Sequence, residues 1–368
     1  MRRIGVLLMC LGLLAGCRQV NVAVPKAAPQ HFSVPAGKPT AQAEHLNTFM
    51  KADFVEASGV VTSLGGARVS ADQASGRDYL AESLGLWLLH LVMTRQYQAF
   101  RTFYAAGKAK LYNGQNFSYR LTRPQNKRSN VNASVDDLRI MRALLAYDEA
   151  THSNHYRKQA ATLYARWAQG CLPNGQLRDF YDVKAHKATT QASLAYFDLQ
   201  TLRYFSTKKQ QYRQLVAVLQ HGYLGDALPL YASSYDWGDG AYSSKTLNTS
   251  EALETLLQLA RVGRLKATTK AWLVQRLQTK QLPNAMTITG GIADVGQSVA
   301  NWALLAQIFA TQHDRQHYEQ TMALIWQQQV TQGALAGGFG VRKTGAAYSY
   351  NNLNVLLAAD VRGQAYAD

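Results

Sequence analysis

Asp78-Tyr79-Leu80-Ala81-Glu82-Ser83-Leu84-Gly85-Leu86-Trp87-Leu88-Leu89 is the stretch on which the reading of this chain turns. After Glu82, the residues Leu84, Leu86, Trp87, Leu88, Leu89, Leu91, Val92 and Met93 follow with almost no polar break. A helix that is apolar on every side is buried on every side. Glu is rarely buried unless it is paired or has a task. Burial raises a carboxyl pKa and keeps the group protonated, the state a general acid needs. The competing reading is a first-turn residue that complements the helix dipole in open water.

The same pattern recurs along the chain. A loop rich in Gly, Asn, Ser or Tyr leads into an apolar helix, and a more amphipathic helix returns. The apolar helices are expected at 79–93, 136–147, 190–204, 249–262, 298–309 and 351–361, with return helices such as 155–169, 208–220, 266–278 and 318–329. A period of roughly fifty residues, repeated six times, points to a closed ring of helical hairpins. The expected fold is therefore all-α: an (α/α)6 toroid of six inner and six outer helices. The eight β-runs of a TIM barrel are not visible.

The starts of the inner helices are polar. They are Glu82-Ser83, Ser134-Val135-Asp136-Asp137, Thr190-Gln191, Asn248-Thr249-Ser250-Glu251, Ser298 with Asn301, and Tyr350-Asn351-Asn352. N-capping accounts for part of this, because Ser, Thr, Asn and Asp are preferred caps. If the inner helices run parallel, all six starts also meet in one polar bowl. Aromatic residues crowd the loops that would rim it: Tyr112, Phe117 and Tyr119; Phe180 and Tyr181; Tyr231, Tyr235, Trp237 and Tyr242; Phe339, Tyr348 and Tyr350. Flat rings beside Asn301 and the acids Asp136 and Asp137 suit sugar rings, though Tyr also packs loops onto helices. The chain has only 23 Asp and Glu, so acids at bowl positions stand out. Besides Glu82 and the Asp136-Asp137 pair, they include Asp236 and Asp239 in Ser234-Tyr235-Asp236-Trp237-Gly238-Asp239-Gly240-Ala241-Tyr242. Glycoside hydrolysis uses two carboxyl groups, a protonated acid and an ionised base or nucleophile. Glu82 in an apolar mouth and an Asp in a Gly-rich loop would differ in environment as that chemistry requires.

The N-terminus reads as an export signal. Arg2 and Arg3 precede an apolar run, 4–14, too short to remain as a membrane span. Leu14-Ala15-Gly16-Cys17 has the form of a bacterial lipobox. The expected organisation is a signal peptide at 1–16, a lipidated flexible tether at 17–43 carrying Pro25, Pro29, Pro35 and Pro39, and one domain at 44–368. The location would be the extracellular face of the cytoplasmic membrane, with Cys17 as lipid anchor. Of three cysteines, only Cys171 then remains, which excludes an intramolecular disulfide and a thiolate metal cluster. Nothing calls for a cofactor or metal. The formal charge is +16, spread without a dense basic run. It favours anionic lipid, wall polymer or acidic glycan over nucleic acid, which is a poor partner outside the membrane. A monomer is the default.

On these residues the chain resembles glycoside hydrolase family 8, an (α/α)6 group of inverting enzymes that includes cellulases, chitosanases, xylanases and lichenases. The family's Ser-Glu-Gly-Gln-Ser-Tyr-Gly-Met-like segment holds the general acid; Ala81-Glu82-Ser83-Leu84-Gly85-Leu86 keeps its Glu. The family's Ala-Thr-Asp-x-Asp-Leu-x-Ile-Ala-x-Ala-Leu-Leu resembles Asn132-Ala133-Ser134-Val135-Asp136-Asp137-Leu138-Arg139-Ile140-Met141-Arg142-Ala143-Leu144-Leu145. In strict register the first Asp falls on Val135, and Asp136 fills the next place. The family's Tyr-Asp-Ala-x-Arg-x-Pro segment is weaker here: aligned on Tyr242, the Asp falls on Ser243 and the Arg on Thr246. The resemblance is nearest to a divergent lipoprotein branch of Gram-positive bacteria associated with exopolysaccharide. It implies a cell-surface, endo-acting glycosidase that cuts a β-linked polysaccharide with inversion. Glu82 would be the acid, Asp239 or Asp236 the base, and Asp136 a ligand of the sugar at the cleavage point. An inverting pair would stand about 6.5–9.5 Å apart.

Three other readings compete. A sugar-binding lipoprotein could keep the bowl and lose the chemistry, since the Gly-Gln after the acid and the Arg-x-Pro are missing. A polysaccharide lyase on the same fold could use Tyr181, His186 and Arg178. A zinc cyclase on a similar toroid is disfavoured by the single mature cysteine. His152, His155, His313 and His317 are expected at solvated positions.

Overall fold

The computed structural model describes residues 22–34, 37–65, 76–123, 125–243 and 245–367. The signal segment, Cys10 and the lipobox with Cys17 lie outside the described residues. Thirteen α-helices make up about half of the described chain: α1 (Ala41–Phe49), α2 (Ala81–Met93), α3 (Tyr97–Leu111), α4 (Ser134–Ala150), α5 (Arg157–Cys171), α6 (Leu199–Phe205), α7 (Lys209–His221), α8 (Thr249–Arg261), α9 (Ala267–Thr279), α10 (Val299–Thr311), α11 (Arg315–Trp326), α12 (Ser349–Asp360) and α13 (Arg362–Ala365).

The even-numbered helices from α2 to α12 pack in closed order. α2 packs on α4, α4 on α6 and the 3-10 turn Leu194–Tyr196, that turn on α8, α8 on α10, α10 on α12, and α12 back on α2. The odd-numbered helices lie outside them, with α3 on α2, α5 on α4, α7 on α6, α11 on α10 and α1 on α12. Composition explains the layering. Every residue of α10 from Val299 to Ala310 is buried, and α2 is buried from Ser83 to Val92. The outer α7 buries only Leu215, Val216, Val218 and Leu219 along one stripe. Burial of such a side chain stabilises the fold by about 1.5–3 kcal/mol, and the inner ring supplies most of them. Gly107 lets the outer helix approach closely: a Cβ there would lie 2.6 Å from Leu84 Cδ1.

The third inner element differs from the single helix expected at 190–204. Gln191–Ser193 is instead the edge of a three-stranded sheet, pairing with Ser234–Asp236. The Leu194–Tyr196 turn follows, and α6 starts only after Asp198, whose side chain caps the backbone N–H of Thr201 at 3.1 Å. Asp179 holds the strand, accepting from Ser193 N at 2.6 Å and Ser193 Oγ at 2.8 Å. Local helical propensity is overridden by a ladder the isolated segment does not reveal.

Part of the segment expected as a tether is seated on the domain. The N–H groups of His31, Phe32 and Ser33 donate to the Glu149 carboxylate, each at 2.7 Å. Phe32 is buried with Arg142 over its ring. α1 begins at Ala41, capped by Thr40, so regular structure starts before residue 44.

A seam closes the ring. Ala347–Tyr348 pairs with Ser63–Leu64. Ser83 Oγ meets Ser349 Oγ at 3.2 Å, and the buried His90 lies 2.8 Å from Asp360 and 3.2 Å from Asn47.

The two faces of the ring are unlike. Short antiparallel ladders stand before the inner helices, including Tyr79–Leu80 with Arg120–Thr122, and Leu247–Asn248 with Ala285–Met286. At the other face the inner helices end in tight turns. Among the described residues no helix is long and apolar enough to cross a membrane.

Candidate active site

The first turns of α2, α4, α8 and α12 open into one cavity of about 320 Å³. It is lined by Glu82 from α2; Val135, Asp136 and Arg139 from α4; Ala195 and Tyr196 from the 3-10 turn; Asn248, Ser250, Glu251 and Glu254 around the start of α8; and Tyr350 from α12. Its size lies at the lower end of ligand pockets, about 300–1,000 Å³.

Glu82 keeps part of its surface open to the cavity while its neighbours in α2 are buried. Its pKa is pushed up to about 8, first by burial, then by the charges of Asp136 and Glu254, with Arg139 opposing. The group therefore holds its proton at neutral pH. Arg139 gathers the acids. Its Nη1 donates to Asp136 Oδ1 at 2.7 Å and its Nη2 lies 3.4 Å from Glu254 Oε1. Burial alone would lower its pKa, but Glu254, Asp136 and Glu82 raise it further, so it stays a cation. Asp136 is pushed up to about 7 by burial, with Asp137 and Glu254 adding and Arg139 opposing. Gly85 makes room for this arrangement: a Cβ there would sit 3.1–3.3 Å from the Arg139 side chain. Glu251 lies in the first turn of α8, exposed to solvent, with its pKa raised by burial of part of its surroundings. Beneath Arg139 and Glu254 the ring axis stays polar. Buried Arg142 donates to Asp198 at 2.9 Å, and Arg261 and Gln307 follow toward Phe32.

The structure brings Glu82, Asp136 and Tyr350 together. It places the other expected residues elsewhere. Asp137 is buried away from the cavity, accepting from Phe117 N at 2.8 Å and Asn132 Nδ2 at 2.7 Å, so it ties two loops to α4. Asp236 and Asp239 sit in a hairpin turn and do not line the cavity. Asp236 accepts from Gly238 N at 2.7 Å and Thr190 Oγ1 at 2.9 Å, which, with Arg178, holds its carboxyl below the usual range. Asp239 accepts from Ala241 N at 2.9 Å. Tyr235, Trp237 and Tyr242 pack on one another at 4.8–5.0 Å, and Trp237 donates to Leu177 O and Tyr242 to Val218 O. Tyr181 lies against Gly170. Tyr119 is half-buried, its backbone paired with Ala81 and Val131. Asn301 is buried and accepts from Ser250 Oγ at 2.6 Å. Arg178 donates to Thr190 O and Gln176, and His186 faces Tyr181 at 3.4 Å; neither lines the cavity. His152, His155 and His313 are exposed and His317 is half-buried against Asp314.

Arg139, Glu254 and Tyr196 were not singled out by the sequence, and Glu251 was read only as part of a polar helix start. The available signal was spacing. Asp136 with Arg139, and Glu251 with Glu254, are i,i+3 pairs and so share a helix face.

No family model matches the sequence, and no curated protein matches it either. Solved structures do. A novel alpha-amylase from Clostridium perfringens superposes with a TM-score of 0.79 at 22% identity, over 87% of this chain and 97% of that one. PssZ from Listeria monocytogenes gives 0.68 at 18% identity, over 91% and 97%. Endoglucanase Cel10 from Klebsiella pneumoniae, a family 8 glycosyl hydrolase, gives 0.58 at 17% identity, over 87% and 99%. The chain thus has the fold of family 8-like glycoside hydrolases across nearly its whole length. At these identities the likeness speaks for the fold.

Proposed function

We propose that this protein is a cell-surface glycosidase, an (α/α)6 toroid tethered by a lipid on Cys17, that hydrolyses a polysaccharide by an inverting mechanism. One observation carries the reading: a proton-holding glutamate, Glu82, stands at the N-terminal turn of a buried helix, in a cavity shared with further carboxylates. The likeness to polysaccharide-degrading enzymes supports it. Those neighbours include an alpha-amylase and endo-β-1,4-glucanases, so the linkage is left to experiment, with a β-linked exopolysaccharide the first substrate to try.

Glu82 donates its proton to the glycosidic oxygen as the bond to the anomeric carbon breaks. Asp136, oriented by Arg139, accepts from the hydroxyls of the ring at the cleavage point. The base that activates water is Glu251, because it reaches the cavity, is open to solvent and has no ion pair among the described residues. Asp239 and Asp236 are the alternatives, were the hairpin to close over a bound chain. Their position outside the cavity equally favours the second reading, a polysaccharide-binding lipoprotein without turnover.

Glu82→Gln decides between the two. It removes the acid and keeps the shape. Wild type should shorten the polymer and the variant should be slower by about 10²–10⁴-fold. If wild type binds the glycan and never cuts it, the protein is a binding lipoprotein.

A further inference from the structure

The face opposite the cavity carries a second groove, of about 480 Å³, between the α6–α7 turn and the α8–α9 turn. Arg203, Lys209, Arg213 and Arg264 line it with Ser206, Tyr212 and Val262, and no acid does. All four cations are exposed. None has a carboxylate within ion-pairing distance among the described residues. Like charges gathered without counter-charge are a binding surface for anions.

The chain's own N-terminal segment crosses this same face. Lys26 O accepts from Arg157 Nη1 at 3.2 Å and Ala27 O from the Tyr204 hydroxyl at 2.9 Å. Tyr204 adjoins Arg203 of the groove. Val22, the first described residue, is five positions from Cys17, at most about 18 Å of extended chain. A lipid on Cys17 would therefore hold the domain by the side along which this segment runs.

We propose that the groove and the basic turns beside it seat the phosphate headgroups of an anionic bilayer, so that the ring lies on its tight-turn face with the cavity pointing away from the membrane. The direction of this docking rests on the lipid anchor proposed above; the charge complementarity does not. The consequence is that the cavity meets polymer arriving from outside, and the short tether need not be long.

The test uses the lipid-free mature chain, residues 18–368, and co-sedimentation with vesicles of phosphatidylcholine alone or mixed with phosphatidylglycerol. Wild type should partition onto the mixed vesicles only, and progressively less as salt rises. Each cation near an anionic surface is worth about five-fold in partitioning. The variant Arg203→Gln/Lys209→Gln/Arg213→Gln/Arg264→Gln should therefore lose roughly two orders of magnitude or more, with an unchanged circular dichroism spectrum and melting temperature. Replacing Lys127 and Arg128, which lie in a ladder on the cavity face, should leave partitioning as it is. Equal sedimentation of wild type and the four-site variant overturns the proposal, as does equal binding to both vesicle types. Displacement by millimolar inorganic phosphate at constant ionic strength would also overturn it, identifying a soluble phosphate ligand instead. None of these readouts requires glycan turnover, so the glycosidase reading can fail while this one stands.

Discussion

At the scale of single residues, the cavity sets carboxyl groups in unlike surroundings. Glu82 is protonated at neutral pH because burial and neighbouring acids penalise its charge. Glu251 lies at the solvent side of the same cavity and is the base of the mechanism proposed above. Glu251→Ala should abolish hydrolysis of the natural bond, and azide should restore turnover of an activated glycosyl fluoride with inverted product, followed by proton magnetic resonance. Asp236→Asn and Asp239→Asn should each change the rate by only a few-fold; a loss as deep as that of Glu251→Ala in either would return the base to the hairpin. The rate should fall above about pH 8 as Glu82 loses its proton, and this limb should be absent in any residual activity of Glu82→Gln. Glu82 was legible in the sequence because a lone acid in an apolar run has few innocent explanations. Glu254 and Arg139 were not, and Glu251 was seen only as part of a helix start, because charges at i,i+3 on a helix with polar neighbours read as a solvated face. Only the ring's closure turns that face inward.

At the scale of elements, the two ends of each inner helix do different things. The N-terminal ends emerge from ladders and carry the site. The C-terminal ends stop in a repeated turn. Arg95, His152, Gly263 and His313 all adopt positive φ, between 52° and 68°, two residues beyond α2, α4, α8 and α10. In each case the next residue's N–H returns to a carbonyl five residues back, as Gln96 to Leu91, Ser153 to Asp148, Arg264 to Leu259 and Asp314 to Phe309. This is the Schellman closure, which satisfies carbonyls the helix leaves open. Gly263 has free space where a Cβ would be, so Gly263→Ala tests the backbone alone. It should destabilise by about 1–2 kcal/mol, read from urea unfolding, whereas His152→Gly should cost far less. The helices themselves were readable to within a few residues where apolar runs are long. The third was misread because Gln191–Ser193 is claimed by a sheet partner some forty residues away, and no local pattern reports such a partner.

At the scale of the molecule, one half-buried and two buried acids cluster near one end of the ring. Glu82 is raised to about 8, and Asp136 and Asp137 to about 7. Their carboxyls ionise at lower pH in the unfolded chain, near 4, so between about pH 4 and 8 the folded state binds more protons than the unfolded. Stability should therefore fall as pH rises through this window and level off above it. Differential scanning calorimetry should give a higher melting temperature near pH 5.5 than near pH 8. Glu82→Gln should flatten the upper part of the slope. A melting temperature that climbs from pH 5.5 to 8 would contradict the burial of these groups.

The seam between α2 and α12 has a consequence for how the chain comes into being. His90 and Asp360 meet across 270 positions, so the α12 face that covers α2 is synthesised long after α2 itself. Until it arrives, α2 and α10 have bare apolar flanks and the cavity lacks Tyr350. Closing so long a loop before any contact rewards it is entropically costly and slow. Until α12 is made, the chain is therefore an open crescent with unpaired apolar flanks. Helix α12 acts as a clasp, and its arrival converts a vulnerable string of hairpins into one cooperative body.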